Sequence, residues 1–287
     1  MKIKPGLLLL AGLLWSTATS AFSQDNKFYV FLCLGQSNME GFPGIQAEDK
    51  GPVDDRFQVL AAVDFPKLAR TKGNWYPAIP PLCRPSTGLC PADYFGRTLV
   101  ANLPADIKVG VVNVSLAGTK IEVFDKTNFQ SYVATAETWK QRLVATYGGN
   151  PYQYLVDMAK VAQKTGVIKG ILLHQGESNT GDPEWPNKVK TLYENLLKDL
   201  GLKAGEVPLL AGELVGADQM GASARMNKII DKLPEVIPTA HAIAAEGCIS
   251  RPDHLHFAPE GYRELGKRYA ETMLPLLGYK KADAKQR

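Results

Sequence analysis

A serine follows the most apolar run of the chain, at the position where a strand would end. Residues 28–34 read Phe-Tyr-Val-Phe-Leu-Cys-Leu, and the small polar turn Gly35-Gln-Ser-Asn38 comes directly after them. In parallel α/β sheets the carboxyl ends of the strands border the crevice in which chemistry takes place. Ser37 is therefore a candidate nucleophile, although many serines at such positions only cap a helix.

A base for this serine is expected near the end of the chain. Asp253 precedes His256 by three residues, a spacing that can bring a carboxylate to one imidazole nitrogen while the other nitrogen faces a hydroxyl. Nucleophilic acyl transfer needs a hydroxyl, a base and an acid that orients the base. We therefore predict that Ser37, His256 and Asp253 form a catalytic triad. His254 is the weaker candidate for the base, because a direct neighbour of Asp253 points elsewhere in most backbone conformations.

Acyl transfer also needs donors for an oxyanion. The backbone N–H groups of Ser37 and Gly118 and the side-chain amide of Gln175 are the candidates, since each follows a different predicted strand. A turn glycine and a hydrogen-bonding residue of the cleft wall are the simpler interpretations of the last two. Asn38 is expected to hold the turn of the nucleophile. For Glu177 we favour a structural role over that of a second catalytic carboxylate.

Strand-like and helical patterns alternate along the chain, which predicts an α/β protein with a parallel sheet covered on both faces. The region from Ser37 to about Pro91 is polar and rich in proline, and a loop region of this length is expected to shape a substrate cleft. The predicted strands are 28–34, 107–114, 167–174, 209–213 and 240–245, and the predicted helices are 92–103, 135–147, 152–164, 185–200, 222–233 and 259–277.

The amino terminus has the layout of a secretory signal peptide. Lys2 and Lys4 precede an apolar run from Gly6 to Trp15 and a stretch of small residues, which predicts a signal peptide over 1–23 and one domain over 24–287. Its removal lowers the formal charge from +4 to +2, so we expect no nucleic-acid partner. The apolar run is too short for a membrane anchor. We expect export to the periplasm or the medium, and the oligomeric state stays open.

The cysteine and histidine spacings do not resemble a metal site. Cys83 and Cys90 bracket a short Pro/Gly/Ser segment and are candidates for a local disulfide, whereas Cys33 and Cys248 are either a pair or two buried thiols. The sequence therefore predicts no metal and no cofactor.

Four blocks together carry a family resemblance that covers nearly all of the chain after residue 23. They are Gly35-Gln-Ser-Asn-Met39, Gly118-Thr119, His174-Gln-Gly-Glu-Ser178 and Asp253-x-x-His256-Phe257. Their combination and order resemble the SGNH hydrolases, and specifically the branch with acetylxylan esterases and sialate O-acetylesterases, which is similar to carbohydrate esterase family six. The Gly-x-Asn-Asp block of the wider superfamily is absent, and Gln175-Gly-Glu177 stands in its place.

The resemblance implies a three-layer α/β/α sandwich with a mainly parallel, flavodoxin-like sheet. It also implies a Ser37/His256/Asp253 triad, an oxyanion hole from Ser37, Gly118 and Gln175, and no metal or other cofactor. The role of Gln175 as a donor depends on this resemblance more than on spacing.

The implied partner is an acetylated carbohydrate, and the implied function is that of a secreted carbohydrate O-acetylesterase acting on plant polysaccharide, with acetylxylan as the first expectation. The alternative is a sialate O-acetylesterase, for which Arg84 or Arg251 would bind the carboxylate of the sugar. The third hypothesis, which the intact triad disfavours, is an inactive carbohydrate-binding protein. Trp75, Tyr76 and Trp185 are possible stacking surfaces for a sugar, although core packing is the simpler role for each.

Overall fold

The structure is a computed structural model that describes residues 24–42 and 44–280. The predicted signal peptide, 1–23, lies outside these residues. Among the helices that are described, none combines the length and the apolar composition needed to cross a membrane.

One seven-stranded sheet forms the centre of the described chain. Its spatial order is β3-β2-β4-β1-β5-β6-β7, and all neighbours are parallel except β2 and β3. The five strands β4-β1-β5-β6-β7 have the flavodoxin-like order. The strands are β1 (Asp25–Gly35), β2 (Phe57–Leu60), β3 (Trp75–Pro77), β4 (Lys108–Ser115), β5 (Gly166–His174), β6 (Leu209–Gly212) and β7 (Ala240–Ile243).

The strand β1 is apolar on both faces because it is covered on both sides. Val30, Leu32 and Leu34 belong to one buried cluster, and the alternating residues Phe31 and Cys33 belong to the other. Helices α5 and α6 pack on the first side of the sheet, and α2 and α9 on the second. The helices are α1 (Ser37–Glu40), α2 (Pro91–Asn102), α3 (Phe129–Thr135), α4 (Thr138–Thr146), α5 (Pro151–Gln163), α6 (Trp185–Leu200), α7 (Asn227–Ile230), α8 (Leu233–Val236) and α9 (Pro259–Leu276). The predicted three-layer α/β/α class is confirmed.

The predicted element map differs from the structure in places. The predicted helix over 222–233 is a 3-10 turn, Ala224–Met226, followed by the short α7 and α8. Pro234 has no N–H to bond to the carbonyl of Ile230, so α7 cannot continue through it. The region up to Pro91 also holds regular structure, because β2 and the antiparallel β3 extend one edge of the sheet.

The register of the central strands brings the predicted catalytic turns to one edge. Gly35 at the end of β1 lies opposite Ser115 of β4 and His174 of β5. The residues that follow these strands therefore start from neighbouring points. Gly35 has a φ of +152°, and a Cβ on it would overlap the backbone carbonyl of His174, so this close approach needs glycine.

Neither suggested disulfide is formed. Cys33, Cys83, Cys90 and Cys248 are all buried free thiols. The Cys83 thiol contacts the hydroxyl of Tyr147 at 3.3 Å, while Cys90 sits at the N-terminal cap of α2. The segment between Cys83 and Cys90 is therefore held by side-chain contacts instead of a covalent link.

Candidate active site

The three predicted triad residues form one hydrogen-bonded line. The Oγ of Ser37 lies 2.9 Å from Nε2 of His256, and Nδ1 of the same ring lies 2.9 Å from Oδ2 of Asp253. The other carboxylate oxygen, Oδ1, accepts hydrogen bonds from the backbone N–H groups of Leu255 and His256 at 3.0 Å each. The structure thus brings a hydroxyl, an imidazole and a carboxylate together in the order that acyl transfer requires.

The hydrogen bonds to Asp253 determine which imidazole nitrogen carries the proton. Burial alone would raise the pKa of Asp253, but the backbone N–H and the ring of His256 outweigh it, and the pKa is lowered from its ordinary value. An ionised carboxylate can only accept hydrogen bonds. Nδ1 of His256 must therefore donate to it, which leaves the lone pair of Nε2 facing the hydroxyl of Ser37.

His254 has a different place from the predicted base. Its φ of +52° lies in the left-handed region, which non-glycine residues rarely occupy. Its Nδ1 lies 3.1 Å from the carbonyl of Gln219, and its own carbonyl accepts from the N–H of Ala222. These contacts hold the turn in which Asp253 and His256 face each other.

Asn38 joins the turn of the nucleophile to the loop of the histidine. Its Nδ2 donates to Oε1 of Glu177 and to the carbonyl of Leu255, and its Oδ1 accepts from the N–H of Phe257 and the hydroxyl of Tyr262. A fully buried amide with partners on each side fixes the distance between these segments. Asn38, which was predicted to hold the turn of the nucleophile, thus lies between the two segments.

Glu177 is a buried carboxyl at the wall of the site, and only 3% of its side chain is exposed. Burial raises its pKa to about 7, against the hydrogen bond from Asn38, and burial lowers the pKa of the neighbouring His174 to about 4. Nε2 of His174 donates to the carbonyl of Glu213, so its Nδ1 carries a lone pair. Between about pH 4 and pH 7 both groups are uncharged, so their 3.9 Å contact is not an ion pair in that range.

Two backbone N–H groups are free to bind an oxyanion. No acceptor among residues 24–42 and 44–280 pairs with the N–H of Ser37 or of Gly118. Gly118 has a φ of +65°, and a Cβ there would come within 2.6 Å of the Trp139 ring. The turn therefore needs glycine both for its conformation and for the ring that packs over it.

The structure does not bring the amide of Gln175, a predicted oxyanion donor, into the lining of the cavity. Its Nε2 has three acceptors within the protein, namely Oε1 of Gln36 at 3.1 Å, the carbonyl of Thr119 at 3.3 Å and Oδ1 of Asn179 at 2.8 Å. Its Oε1 accepts from Nε1 of Trp185. Both hydrogens of this amide thus have acceptors within the protein, and its oxygen already accepts one hydrogen bond. Its position directly after a strand did not reveal this.

A cavity of about 300 Å³ opens in front of Ser37. Two aromatic rings that the sequence did not single out form its walls: Phe42 is 48% exposed and Trp139 is 44% exposed. Phe42 stacks on the imidazole of His256, with 3.7 Å between ring centres, and the guanidinium of Arg251 lies 5.1 Å from the centre of the Phe42 ring. The cavity is lined by Gln36, Ser37, Phe42, Ala117, Gly118, Trp139, Glu177, Ser178, Leu255 and His256.

The aromatic and basic residues suggested from the sequence lie elsewhere, except Arg251. Trp75 and Tyr76 are part of the edge strand β3, and Trp185 is fully buried. Arg84 forms an ion pair with the buried Glu40. Phe42 could have been found from the sequence, because it lies between a glycine and a proline only five residues after Ser37. No sequence pattern distinguished Trp139 from the other residues of its helix.

In the part of the chain that the structure describes, no three His, Cys, Asp or Glu side chains are grouped so that they could hold a metal ion.

The chain is similar to one family of carbohydrate esterases and to several solved structures. Residues 27–275 match the family of carbohydrate esterases described as sialic acid-specific acetylesterase. A protein from Arabidopsis thaliana of known X-ray structure is 21% identical, with a TM-score of 0.66 over 86% of this chain and 98% of that chain. NanS is 16% identical, with a TM-score of 0.62 over 89% of this chain and 99% of that chain.

A third structure, XAC1771, is a carbohydrate acetylesterase from Xanthomonas citri. It is 19% identical, with a TM-score of 0.57 over 84% of this chain and 54% of that chain, so this chain spans about half its length. At these identities the three structures show that the fold is shared. Because the family match extends over most of the sequence, the chain belongs to the carbohydrate esterase family of sialic acid-specific acetylesterases.

Proposed function

We propose that this protein hydrolyses O-acetyl esters of carbohydrates through an acyl-enzyme formed on Ser37. The observation that carries the proposal is the hydrogen-bonded line from Asp253 through His256 to the hydroxyl of Ser37, which ends in an open cavity. Membership of a carbohydrate acetylesterase family supports the ester class. An inactive carbohydrate-binding protein would have no need to keep this line intact.

In the acylation step, Nε2 of His256 accepts the proton of the Ser37 hydroxyl while Oγ forms a bond to the acetyl carbon. The electron pair of the carbonyl moves to its oxygen, which then carries a negative charge close to the free N–H groups of Ser37 and Gly118. When this intermediate collapses, the bond between the acetyl carbon and the sugar oxygen breaks. The sugar oxygen takes the proton from His256, and acetyl-Ser37 remains.

In the deacylation step, water replaces the sugar alcohol. His256 accepts a proton from the water, the oxygen of the water forms a bond to the acetyl carbon, and collapse releases acetate. The proton then returns to the oxygen of Ser37. Throughout the cycle Asp253 stays ionised and stabilises the imidazolium, in keeping with its lowered pKa.

For the alcohol part of the ester, acetylated plant polysaccharide is the first candidate, with acetylxylan as the specific expectation. The exposed rings of Phe42 and Trp139 flank the cavity of Ser37. Aromatic faces of this kind bind the apolar face of a pyranose without requiring a charge on the sugar. The open cavity mouth suits a sugar within a chain.

A sialic acid with an O-acetyl group is the second candidate, and Arg251 is the observation that favours it. Its guanidinium lies over the outer face of Phe42, and no carboxylate among the described residues is paired with it. Guanidinium groups bind carboxylates in a bidentate manner. A sugar carboxylate at this rim would place its ring beside the catalytic imidazole.

The test is acetate release from acetylated xylan, acetylated pectin and O-acetylated sialoglycan, measured side by side with the purified protein. The Ser37→Ala variant must lose activity on these substrates and on 4-nitrophenyl acetate, and an unchanged rate would refute the proposal. Arg251→Gln, with the exposed Arg142→Gln as its control, should raise KM for the sialate ester and leave KM for acetylxylan unchanged. A KM for the sialate ester that is the same in Arg251→Gln as in the unchanged protein would remove the sialate candidate.

We further propose that residues 1–23 direct export, so that hydrolysis takes place in the periplasm or outside the cell. Fractionation of cells that produce the full chain tests this step, since a product that stays in the cytoplasm with its first 23 residues attached would contradict it.

A further inference from the structure

The Gln36 side chain has an unused pair of donor hydrogens at the wall of the cavity. Only 2% of the residue is exposed, and it lines the same cavity as Ser37 and Gly118. Its Oε1 accepts from Nε2 of Gln175 and from the N–H of Ser178. Its Nε2 has no acceptor among residues 24–42 and 44–280. A buried amide normally has partners for both ends, so the free end requires an explanation.

The hydrogen bonds from Trp185 through Gln175 to Gln36 determine which end of the Gln36 amide is free. The indole N–H of Trp185 can only donate, so the atom of Gln175 that it contacts must be the oxygen. The nitrogen of Gln175 consequently faces Gln36, Thr119 and Asn179. If the Gln175 amide were turned over, its oxygen would face three acceptor oxygens.

Two backbone groups confirm the same orientation independently. Oδ1 of Asn179 accepts from the N–H of Ile121 at 2.9 Å, so it presents an oxygen to Gln175 and requires a donor there. The N–H of Ser178 requires an oxygen on Gln36. The amide nitrogen of Gln36 is therefore the atom left for the cavity.

We propose that Nε2 of Gln36, and not Nε2 of Gln175, is the side-chain donor that binds the oxyanion formed during hydrolysis. It acts together with the free backbone N–H groups of Ser37 and Gly118. This inference rests on the proposed function, since the oxyanion arises only if Ser37 attacks an ester. Gln175 and Trp185 become positioning residues, because they hold the Gln36 amide in its rotamer before the substrate arrives.

The sharpest variant is Gln36→Glu, which keeps the shape and the acceptor oxygen for Gln175 and Ser178. It replaces only the donor nitrogen by an oxygen, which repels a developing negative charge. Gln36→Met removes both polar ends at similar size and adds no charge. Gln58→Glu, in β2 and away from the cavity, is the control for an added carboxylate.

We expect Gln36→Glu to lower kcat on 4-nitrophenyl acetate by about 10²- to 10³-fold, as for the loss of one oxyanion donor in other hydrolases. KM should change by less than about threefold, because the carbonyl of the ground state gains little from this donor. The inhibition constant of a trifluoromethyl ketone, which adds to Ser37 and forms an oxyanion, should rise by the same factor. A merely structural role would not produce this match.

Gln175→Glu should behave differently. Its new oxygen would face the three acceptors around Nε2, so the melting temperature should fall, whereas that of Gln36→Glu should stay near that of the unchanged protein. If Gln36→Glu does not fold, Gln36→Met is measured and interpreted in the same way.

Three results would overturn the assignment of Gln36: a kcat within threefold of the unchanged protein, a rise in KM alone, or an unaltered inhibition constant for the ketone. Ser37→Ala in the same assay separates the two levels of inference. If Ser37→Ala is inactive while the Gln36 variants are fully active, only the donor assignment fails. If Ser37→Ala is active, the proposed function fails with it.

Discussion

Replacing Asp253 by asparagine changes one atom of the catalytic line and should reverse the protonation of His256. In the structure, Oδ1 of Asp253 accepts from two backbone N–H groups and Oδ2 accepts from the ring. Asparagine has one oxygen, which the two backbone donors require. Its NH₂ group then faces Nδ1 of His256, which must present a lone pair. Nε2 becomes the protonated nitrogen and cannot accept the proton of Ser37.

The size of the effect follows from the alternative orientation. To keep Nδ1 protonated, the asparagine must turn its oxygen to the ring and its NH₂ group to the N–H groups of Leu255 and His256. Each unpaired donor costs about 1–3 kcal/mol, so this orientation is disfavoured by about 2–6 kcal/mol. That range corresponds to a loss of about 30- to 10⁴-fold in kcat, whose upper end matches the effect of the same change in other serine hydrolases.

The assay is steady-state hydrolysis of 4-nitrophenyl acetate by Asp253→Asn, together with its melting temperature. KM and the melting temperature should stay close to the values of the unchanged protein, because the backbone hydrogen bonds of the loop are kept. Asp64→Asn is the control, since the exposed Asp64 also accepts a backbone N–H, that of Lys72, but lies outside the site. A kcat for Asp253→Asn within tenfold of the unchanged protein would refute the tautomer argument.

Three further variants test the surroundings of the triad. Asn38→Ala leaves the buried hydroxyl of Tyr262 and other groups without partners, which should lower the free energy of unfolding by about 2–4 kcal/mol. The melting temperature should therefore fall by roughly 5–10 °C. A fall of less than about 2 °C would contradict a linking role for Asn38. Phe42→Ala removes the ring that stacks on His256, an aromatic contact that contributes about 0.5–1.5 kcal/mol. The value of kcat/KM should therefore fall about threefold to tenfold without a large change in melting temperature. An unchanged kcat/KM would contradict this role of the ring. Burial raises the pKa of Glu177 to about 7, so this carboxyl stays protonated in the folded state at pH values where it is already ionised in the unfolded chain. The contribution of Glu177 to the free energy of unfolding is therefore lost as the pH rises from about 4.5 to 7. Glu177→Gln should flatten this fall in urea denaturation curves, and parallel pH profiles for the two proteins would disprove it.

The order of the main strands and helices could be predicted from the sequence, because the hydrophobic pattern within each segment determines its type. The run of residues 28–34 is apolar at every position, which is typical of a strand buried on both faces, and the helices α5, α6 and α9 lie within one or two residues of their predicted bounds. The strands β2 and β3 were missed because they have four and three residues. Their pairing with each other and with β4 is a tertiary contact that leaves little local periodicity.

The meeting of Ser37, Asp253 and His256 was also predictable, since turns after parallel strands converge at one edge of a sheet. The choice between Gln36 and Gln175 was not. Both are glutamines next to a predicted strand end, and what distinguishes them is the indole of Trp185, which occupies the oxygen of one of them. Such a contact depends on where α6 begins in space, which the spacing of residues along the chain does not determine.

In the proposed mechanism two hydrogen-bond systems serve the reaction at Ser37, and they lead to helices on opposite faces of the sheet. The base side runs from Ser37 through His256 and Asp253, and Asn38 ties its loop to Tyr262 of α9. The donor side runs from Gln36 through Gln175 to the indole at the start of α6.

Because α9 and α6 pack on opposite faces of the sheet, a disturbance on one face reaches only one of the two systems directly. In the proposed mechanism both systems act on one tetrahedral intermediate, the first by moving the proton and the second by binding the negative charge. Substitutions in the two systems should therefore combine non-additively in kcat. Substitutions in the two systems can thus affect the structure independently and still affect kcat jointly, because both systems act in the same reaction step.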